Sequence, residues 1–486
     1  MDDLKYITIP KNLNELAEQI INKHDSIDES IPKRKILKSP ISKFHSRFII
    51  NEVIKKNIKI LNKKDYILLM SSHQPNLFPY SGVLKKIILM EALRIRIEEI
   101  YSVPVITFFE ILDNAFPDRW VVEAQLPSMN SKEGYLSIKN TEIEKKRHNR
   151  LTGYGKYPKS INSYPKVSKE VIESWRSKLG EWCKICLKSI RKHSKIYGYD
   201  LFIPEKKIFE NIKDFLTIAS EAHDRSVKYS EFNAYILSKI VNEIWGYNTL
   251  FAFSSDLNCF LRDEAISLCK KEYYDALLYA NNLMKIETVK ERIVPFWYQC
   301  SCGGKVNLID DLETLSGKCL NCSREFIFRL SSLEDMTFDF SFRSVPFFIV
   351  HSLAFKPEMF VGGLGGLKSY YTQSAIVAKK MNVELPVIAI WNPNDSYIGI
   401  GQLGALFYFK NNPSKKSAEK LKSILNQKYS ILDYAINIGL RQTSHQWISH
   451  LLKNGDLNSE AYLKSFFDNS EMTQSFAKEV ILDSER

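Results

Sequence analysis

The stretch SSHQPNLFPYSGVLKK (residues 71–86) joins two runs of different periodicity, and its reading decides the fold. Before it, YILLM (66–70) is a continuous apolar run of the length expected for a strand buried on both faces. After it, VLKKIILMEALRIRIEEI (83–100) reads as a helix, and VPVITFFEIL (103–112) returns to a strand pattern. Residues 66–112 therefore form one strand–helix–strand unit of a parallel sheet. In an open α/β sheet, ligands bind at the carboxyl ends of the strands. His73, Gln74 and Asn76 stand at the first such end, and Asp113 and Asn114 at the second. The alternative for His73 is a capping role at the start of the helix.

The pattern returns late in the chain. EMFV (358–361) reads as a short strand, GGLGG (362–366) as a turn, LKSYYTQSAIVAKKM (367–381) as a helix and LPVIAIW (385–391) as another strand. A glycine turn between strand and helix brings backbone N–H groups close to an anionic ligand, which marks Gly362, Gly363, Gly365 and Gly366. Lys368, Tyr371 and Gln373 follow in the first helical turns. A tight turn without a ligand is the alternative, since GGLGG matches neither the dinucleotide fingerprint nor a phosphate-binding loop. Asn392, in WNPND (391–395), ends the last strand at the same edge, and Arg343, in SFRSVP (341–346), is placed to clamp a carboxylate or phosphate.

The expected fold is α/β: a Rossmann-like, doubly wound parallel sheet interrupted by a helical insertion and a zinc ribbon, with a helical C-terminal region. The segments run as N-terminal helices (1–62), first half of the core (63–129), mainly helical insertion (130–290), zinc ribbon (291–330), second half of the core (331–410) and C-terminal helices (411–486). Within the insertion, residues 130–166 are polar, basic and rich in Gly, Tyr, Ser and Pro, as a loop would be, and NTLFAFSSDL (248–257) is a possible strand.

A chain of 486 residues with 44% hydrophobic content can build several packed units. No apolar run reaches the roughly 20 residues of a membrane span, and the N-terminus MDDLKYITIPKN lacks a signal-peptide pattern, so a cytoplasmic protein is expected. The net charge of +12 is spread along the chain and is compatible with a phosphate-rich ligand or RNA without requiring either.

Four of the eight cysteines fall in one segment: Cys300-Ser-Cys302, sixteen residues, then Cys319-Leu-Asn-Cys322. Two cysteine knuckles joined by a hairpin supply four thiolates to a tetrahedral Zn²⁺. Four protein ligands close the shell, which makes the expected metal structural rather than catalytic. Cys183 and Cys186 share the C-x-x-C spacing but sit in a helical pattern without a second pair, so they read as buried thiols.

The order of these motifs resembles the bacillithiol biosynthesis cysteine-adding enzymes (BshC-like proteins). In that family one strand ends in a Gln-Gln-x-Gly-Leu turn, another in an acidic-histidine cluster, and a Gly-Gly-x-Gly-Glu turn leads to a helix and a proline-flanked strand. Here His73-Gln74-Pro75-Asn76, Asp113-Asn114-Ala115 and Gly366 depart from those residues. The wording HQPNLFPY is also similar to the WbqC-like proteins of sugar biosynthetic clusters. The first resemblance implies a nucleotide-binding core and a carbon–nitrogen ligase that adds an amino acid, cysteine being one candidate, to an amine acceptor in specialised or thiol-related metabolism. His73 or Asp113 would be the base, Asn76 and Asn114 would orient donors, Arg343 and Lys368 would counter negative charge, and Gln74, Gln373, Asn392 and the glycines would bind the nucleotide. The activated donor would be made with ATP or supplied as an aminoacyl-tRNA. Two other readings stand beside it: a synthetase-like tRNA-binding protein, and a non-catalytic RNA-binding protein that uses the ribbon and the basic loop 145–159 with Tyr154 and Tyr157 as stacking groups. A homodimer through the C-terminal helices is a further expectation.

Overall fold

The computed structural model describes residues 9–27, 32–63, 65–144, 157–197, 203–287, 292–311, 313–329, 339–392, 394–427, 430–463 and 470–485. The run preceding the quoted stretch forms β1 (Ile67–His73), and β2 is Val105–Ile111. The helix between them, Ser81–Tyr101, ends at Ser102, whose left-handed φ of 57° closes the last turn. A hairpin of β3 (Glu123–Pro127) and β4 (Tyr135–Lys139) follows, then long helices, then β5 (Leu250–Phe253). Next come β6 (Phe296–Gln299), β7 (Lys305–Asp310), β8 (Thr314–Cys319), β9 (Glu325–Arg329) and β10 (Phe340–Phe342). β11 (Met359–Val361) and β12 (Val387–Ala389) complete the strands used below.

The central sheet runs β12-β11-β1-β2-β5, and every neighbouring pair is parallel. Numbered within this sheet alone, that is the order 3-2-1-4-5 of a doubly wound dinucleotide-binding sheet without its sixth strand. The chain order reverses between β1 and β11, so the crevice of such folds opens there. Both faces of the sheet are covered. Ile67, Leu69, Phe109 and Val361 face one apolar core with the helix Ser81–Tyr101, and Leu68, Met70, Phe108 and Phe360 face another with the helix Ser344–Phe355. Burial on both faces explains why these strands are continuous apolar runs.

The third strand of this sheet, β5, lies inside the segment assigned to a helical insertion, which corrects the boundary at 130–290. Its four residues Leu250–Phe253 are all buried because they pair with β2, and a strand this short gives only a faint periodic signal among helices.

Opposite the crevice, the amino edge is tied together by Glu358. Its carboxylate accepts from Arg34 at 2.9 Å and from the Leu68 amide at 2.7 Å, and it pairs with His24 at 2.8 Å. The N-terminal helices are thereby fixed to the sheet. The C-terminal region is helical and packs on the core, with Ile431–Ile438 against Glu205–Arg225 and Leu440–Asn454 against Ser81–Tyr101. Ile400–Lys410 crosses Lys169–Tyr197 so closely that a Cβ on Gly404 would lie 3.2 Å from the Cα of Cys186. Cys183 and Cys186 are both buried in that helix pairing, as expected.

The cysteine segment forms a separate antiparallel sheet, β10-β6-β7-β8-β9, with its own small core of Val294, Phe296, Val306, Leu308, Leu315 and Phe340. Its last strand runs through Arg343 directly into the helix Ser344–Phe355, which joins the ribbon rigidly to the central sheet. Among the described residues, no helix is long and apolar enough to cross a membrane.

Candidate functional site

A cavity of about 760 Å³ opens at the carboxyl edge of the sheet. The sheet supplies one wall through Ser72, His73, Gln74 and Glu110, with Gly362 and Gly363 after β11. The ribbon supplies another through Trp297, Lys305, Ser341, Phe342 and Arg343. The site therefore spans the switch point and takes one of its walls from the ribbon.

Of the residues expected from sequence, His73, Gln74, Asn114, Arg343, Gly362, Gly363, Gly366 and Gln373 line this cavity. Asn76, Asp113, Gly365 and Asn392 do not. The side chain of Lys368 lies outside the described residues.

His73 is held by the fold. Its Nδ1 lies 3.0 Å from the carbonyl oxygen of Gln74, so that nitrogen donates, and Nε2 accepts from the Tyr80 hydroxyl at 3.2 Å. Burial, with the nearby Lys86 charge, pushes its pKa down to about 3, leaving a neutral ring with both nitrogens engaged. That arrangement matches the capping alternative and leaves no free lone pair for a base. Asn76 is buried nearby, with neither atom of its amide hydrogen-bonded among the described residues.

Asp113 is likewise consumed. Its carboxylate accepts from the Ser255 amide at 3.0 Å, the Ser255 hydroxyl at 2.7 Å, the Ser254 hydroxyl at 3.1 Å and Asn162 at 3.3 Å. It caps the turn that follows β5 and does not line the cavity; burial raises its pKa against those donors. Asn114 donates to the Phe340 carbonyl at 3.3 Å and accepts from Ser254 at 2.9 Å, tying the sheet to the ribbon. Asn392 donates to the Asn458 carbonyl at 2.9 Å in a loop that Lys85 pins from below through Asp395 and the carbonyls of residues 392 and 394. Its strand end is used to dock the C-terminal region. Gln74 donates to the Phe116 carbonyl at 2.8 Å and Gln373 to Asn281, so both are cavity-lining but anchored.

The glycine turn behaves differently. Gly363 and Gly366 have ordinary negative φ values of −86° and −67°, and a Cβ at Gly363, Gly365 or Gly366 would meet no atom within 4 Å. Neither backbone conformation nor packing requires glycine at these positions. The helix continues through a π-helical turn at Leu367–Tyr371, a distortion frequent near functional sites, with Tyr370 facing the cavity.

Two cavity lysines were not singled out by sequence reasoning. Lys86 donates to the Ser72 carbonyl at 3.0 Å, and burial pushes its pKa down to about 8. Lys305 donates to Ser341 Oγ at 2.8 Å, lies 4.7 Å from the Phe116 ring centre, and is pushed down to about 7 by burial and by the Arg343 charge. Neither lysine has a carboxylate within ion-pair distance among the described residues; the charge of Asp113 acts on Lys305 from further away and opposes the downward push. Arg343 stacks on Trp297 at 3.9 Å, donates to the Val294 carbonyl at 2.8 Å and contacts Asn307, as a clamp held from the ribbon would. Three cations thus converge on one aromatic-walled cavity.

The four cysteine sulfurs of Cys300, Cys302, Cys319 and Cys322 lie within 4.8 Å of one another. The Cys300–Cys322 and Cys302–Cys319 separations are 3.7 and 3.6 Å, against roughly 3.8 Å between sulfurs of a tetrahedral shell with metal–sulfur bonds of about 2.3 Å. The Gly304 amide and the Asn321 side chain each approach Cys302 Sγ at 3.4 Å, donors that favour a thiolate. The cluster could hold a metal ion such as zinc. Lys305 stands immediately after Gly304 in this knuckle, so the cluster fixes the start of the strand that carries it.

Residues 145–156 of the basic loop, including Tyr154, lie outside the described residues. Tyr157 is buried and donates its hydroxyl to Glu144 at 2.8 Å, so it is not an exposed stacking platform. No protein-family model matches the chain, and no match is found among curated proteins.

Proposed function

We propose that the chain is an enzyme that joins an amino acid to an amine through an amide bond, with the activated amino acid held in the switch-point cavity. The observation that carries this reading is the pair of cavity lysines, buried Lys305 and half-buried Lys86, neither within ion-pair distance of a carboxylate among the described residues, beside Arg343 in an aromatic-walled crevice at the carboxyl edge of a 3-2-1-4-5 sheet. Cations held only by neutral hydrogen-bond acceptors favour an anion, and an acyl phosphate or acyl adenylate supplies one next to the reacting carbonyl. The order of motifs resembling the cysteine-adding enzymes supports the same class.

In this reading the amine nitrogen attacks the acyl carbonyl carbon, a C–N bond forms, the acyl C–O bond to phosphate breaks and the amine proton leaves. Lys86, held near 8, receives that proton in its neutral form; Lys305 and Arg343 balance the charge on the oxyanion and departing phosphate. Gly363 and Gly366 leave the mouth open for the nucleotide end. Zinc bound by Cys300, Cys302, Cys319 and Cys322 would hold the two knuckles together and, through Gly304, fix the position of Lys305.

The test is to incubate the metal-loaded protein with each of the twenty amino acids, a panel of primary amines, and either ATP or charged tRNA. New amides are then sought by mass spectrometry. An amide in either arm supports the reading and identifies the donor; no amide in any combination contradicts it.

A further inference from the structure

β2 carries one charged residue in a strand whose other side chains, Thr107 apart, are apolar. Glu110 is 0% exposed, its Oε1 has no hydrogen-bond partner, and the residue lines the cavity. Its other oxygen, Oε2, lies 2.8 Å from Nε2 of His351, on the helix that follows the ribbon. Nδ1 of that ring lies 2.7 Å from the carbonyl oxygen of Phe347. A carbonyl only accepts, so Nδ1 carries a hydrogen, and the Nε2–Oε2 contact then holds one further proton. Whichever atom bears it, the pair is neutral and Oε1 remains an acceptor.

The His351 side of the pair is walled by aromatic rings. The Phe347 ring lies 4.0 Å from that of His351, and Phe342 and Phe355 meet it at 5.9 and 5.7 Å. A buried acceptor in such a wall is satisfied by a donor that the ligand brings. The same cavity presents Lys305 and Arg343 from the ribbon, groups of opposite character.

We infer that Glu110 Oε1 is the binding group for the substrate's amino function, so that the cavity takes a zwitterion: ammonium on Glu110 and the anionic, activated carboxyl end on the ribbon cations. Naming an amino acid as the ligand rests on the proposed ligase reading; the requirement for a donor at Glu110 does not. The His351 ring is a positioning residue that fixes which oxygen faces the ligand.

The test is differential binding by thermal shift on the full, metal-loaded chain. The probes are the twenty amino acids, ethanolamine and glucosamine, each beside the counterpart in which hydroxyl replaces the amino group. The expected result is at least tenfold tighter binding of one amino compound than of its hydroxyl counterpart, a preference abolished in Glu110→Met and reduced in Glu110→Gln, while both variants keep the wild-type unliganded circular dichroism. Equal binding of the paired compounds, a preference that survives both substitutions, or no binding of any amino compound would overturn the inference. Amino-acid-dependent pyrophosphate exchange reads the ligase independently: exchange without a Glu110-dependent preference removes the subsite alone, and preference without ligation removes the ligase alone.

Discussion

The two walls of the cavity use their polar groups in opposite ways. On the sheet edge, His73, Asp113 and Asn114 are bonded to the chain itself: a tyrosine hydroxyl, a helix start and a ribbon carbonyl take up their capacity. On the ribbon wall, Lys305 is placed by a short bond to Ser341 and Arg343 by its bond to the Val294 carbonyl, and both line the cavity. The difference teaches that a polar residue at a strand end is more informative for what it leaves unpaired than for its identity. Glu110 and Lys86 line the cavity from the sheet side: Glu110 is buried with Oε1 unpaired, and Lys86 is half-buried and bonded to the Ser72 carbonyl.

The sharpest way to break this comparison is to disable the cysteine cluster. The double substitution Cys302→Ser with Cys319→Ser, or chelation of the native protein, should destabilise the ribbon by on the order of 5 kcal/mol or more and abolish ligand binding. Far-UV circular dichroism should retain most of the helical signal, because the central sheet has its own two cores. Metal analysis should find one ion per chain in the wild type and none in the double variant.

Lys305→Met comes next. It should lower activity at least 100-fold while leaving the melting temperature equal or higher, because a buried ammonium without a counter-ion opposes folding. A comparable fall in stability would mean that Lys305 serves the fold as Asp113 does.

Lys86 separates the two roles by pH. Below about pH 8 its ammonium is present in both folded and unfolded chains; between about 8 and 10.5 the unfolded chain keeps a proton that the folded chain has released, so stability rises with pH across that window. The gain should be on the order of 3 kcal/mol and should vanish in Lys86→Met, measured by urea unfolding at each pH. Activity should rise through the same apparent pKa.

The smallest effects on activity are expected on the sheet edge. Asp113→Asn should cost about 1–3 kcal/mol of stability by setting an amide against the Ser255 donors, and His73→Gln should change activity less than tenfold. Chemical denaturation and steady-state rates check both. A hundredfold loss in His73→Gln with unchanged stability would restore the histidine to the chemistry.

Much of the fold was legible because buried parallel strands write themselves as unbroken apolar runs, as in ILLM and VITFF, and because paired cysteine knuckles have few other uses. β5 was faint because four residues carry too little periodicity. The site was less legible. His73 and Asp113 stand out in sequence, but hydrogen-bond demand at a helix start attracts the same residue types as catalysis does. Lys85 and Lys86 are adjacent in a helix whose residues 83–93 are almost all buried, so no polar face shows which ammonium meets a partner; Lys85 meets Asp395 and Lys86 meets the cavity. Glu110 did leave a signal, an acid inside an apolar strand, and so did His351 in SVPFFIVHSLAF.

The central claim is that the cavity activates or receives an aminoacyl group on its lysine-bearing wall. Its most direct test is amino-acid-dependent exchange of labelled pyrophosphate into ATP, with charged tRNA supplied to a parallel amide-forming reaction, in wild type, Lys305→Met and His73→Gln. The account predicts exchange or amide formation with a narrow set of amino acids in the wild type, near-wild-type rates in His73→Gln and none in Lys305→Met. Absence of both reactions in the wild type, or full activity in Lys305→Met, would contradict it.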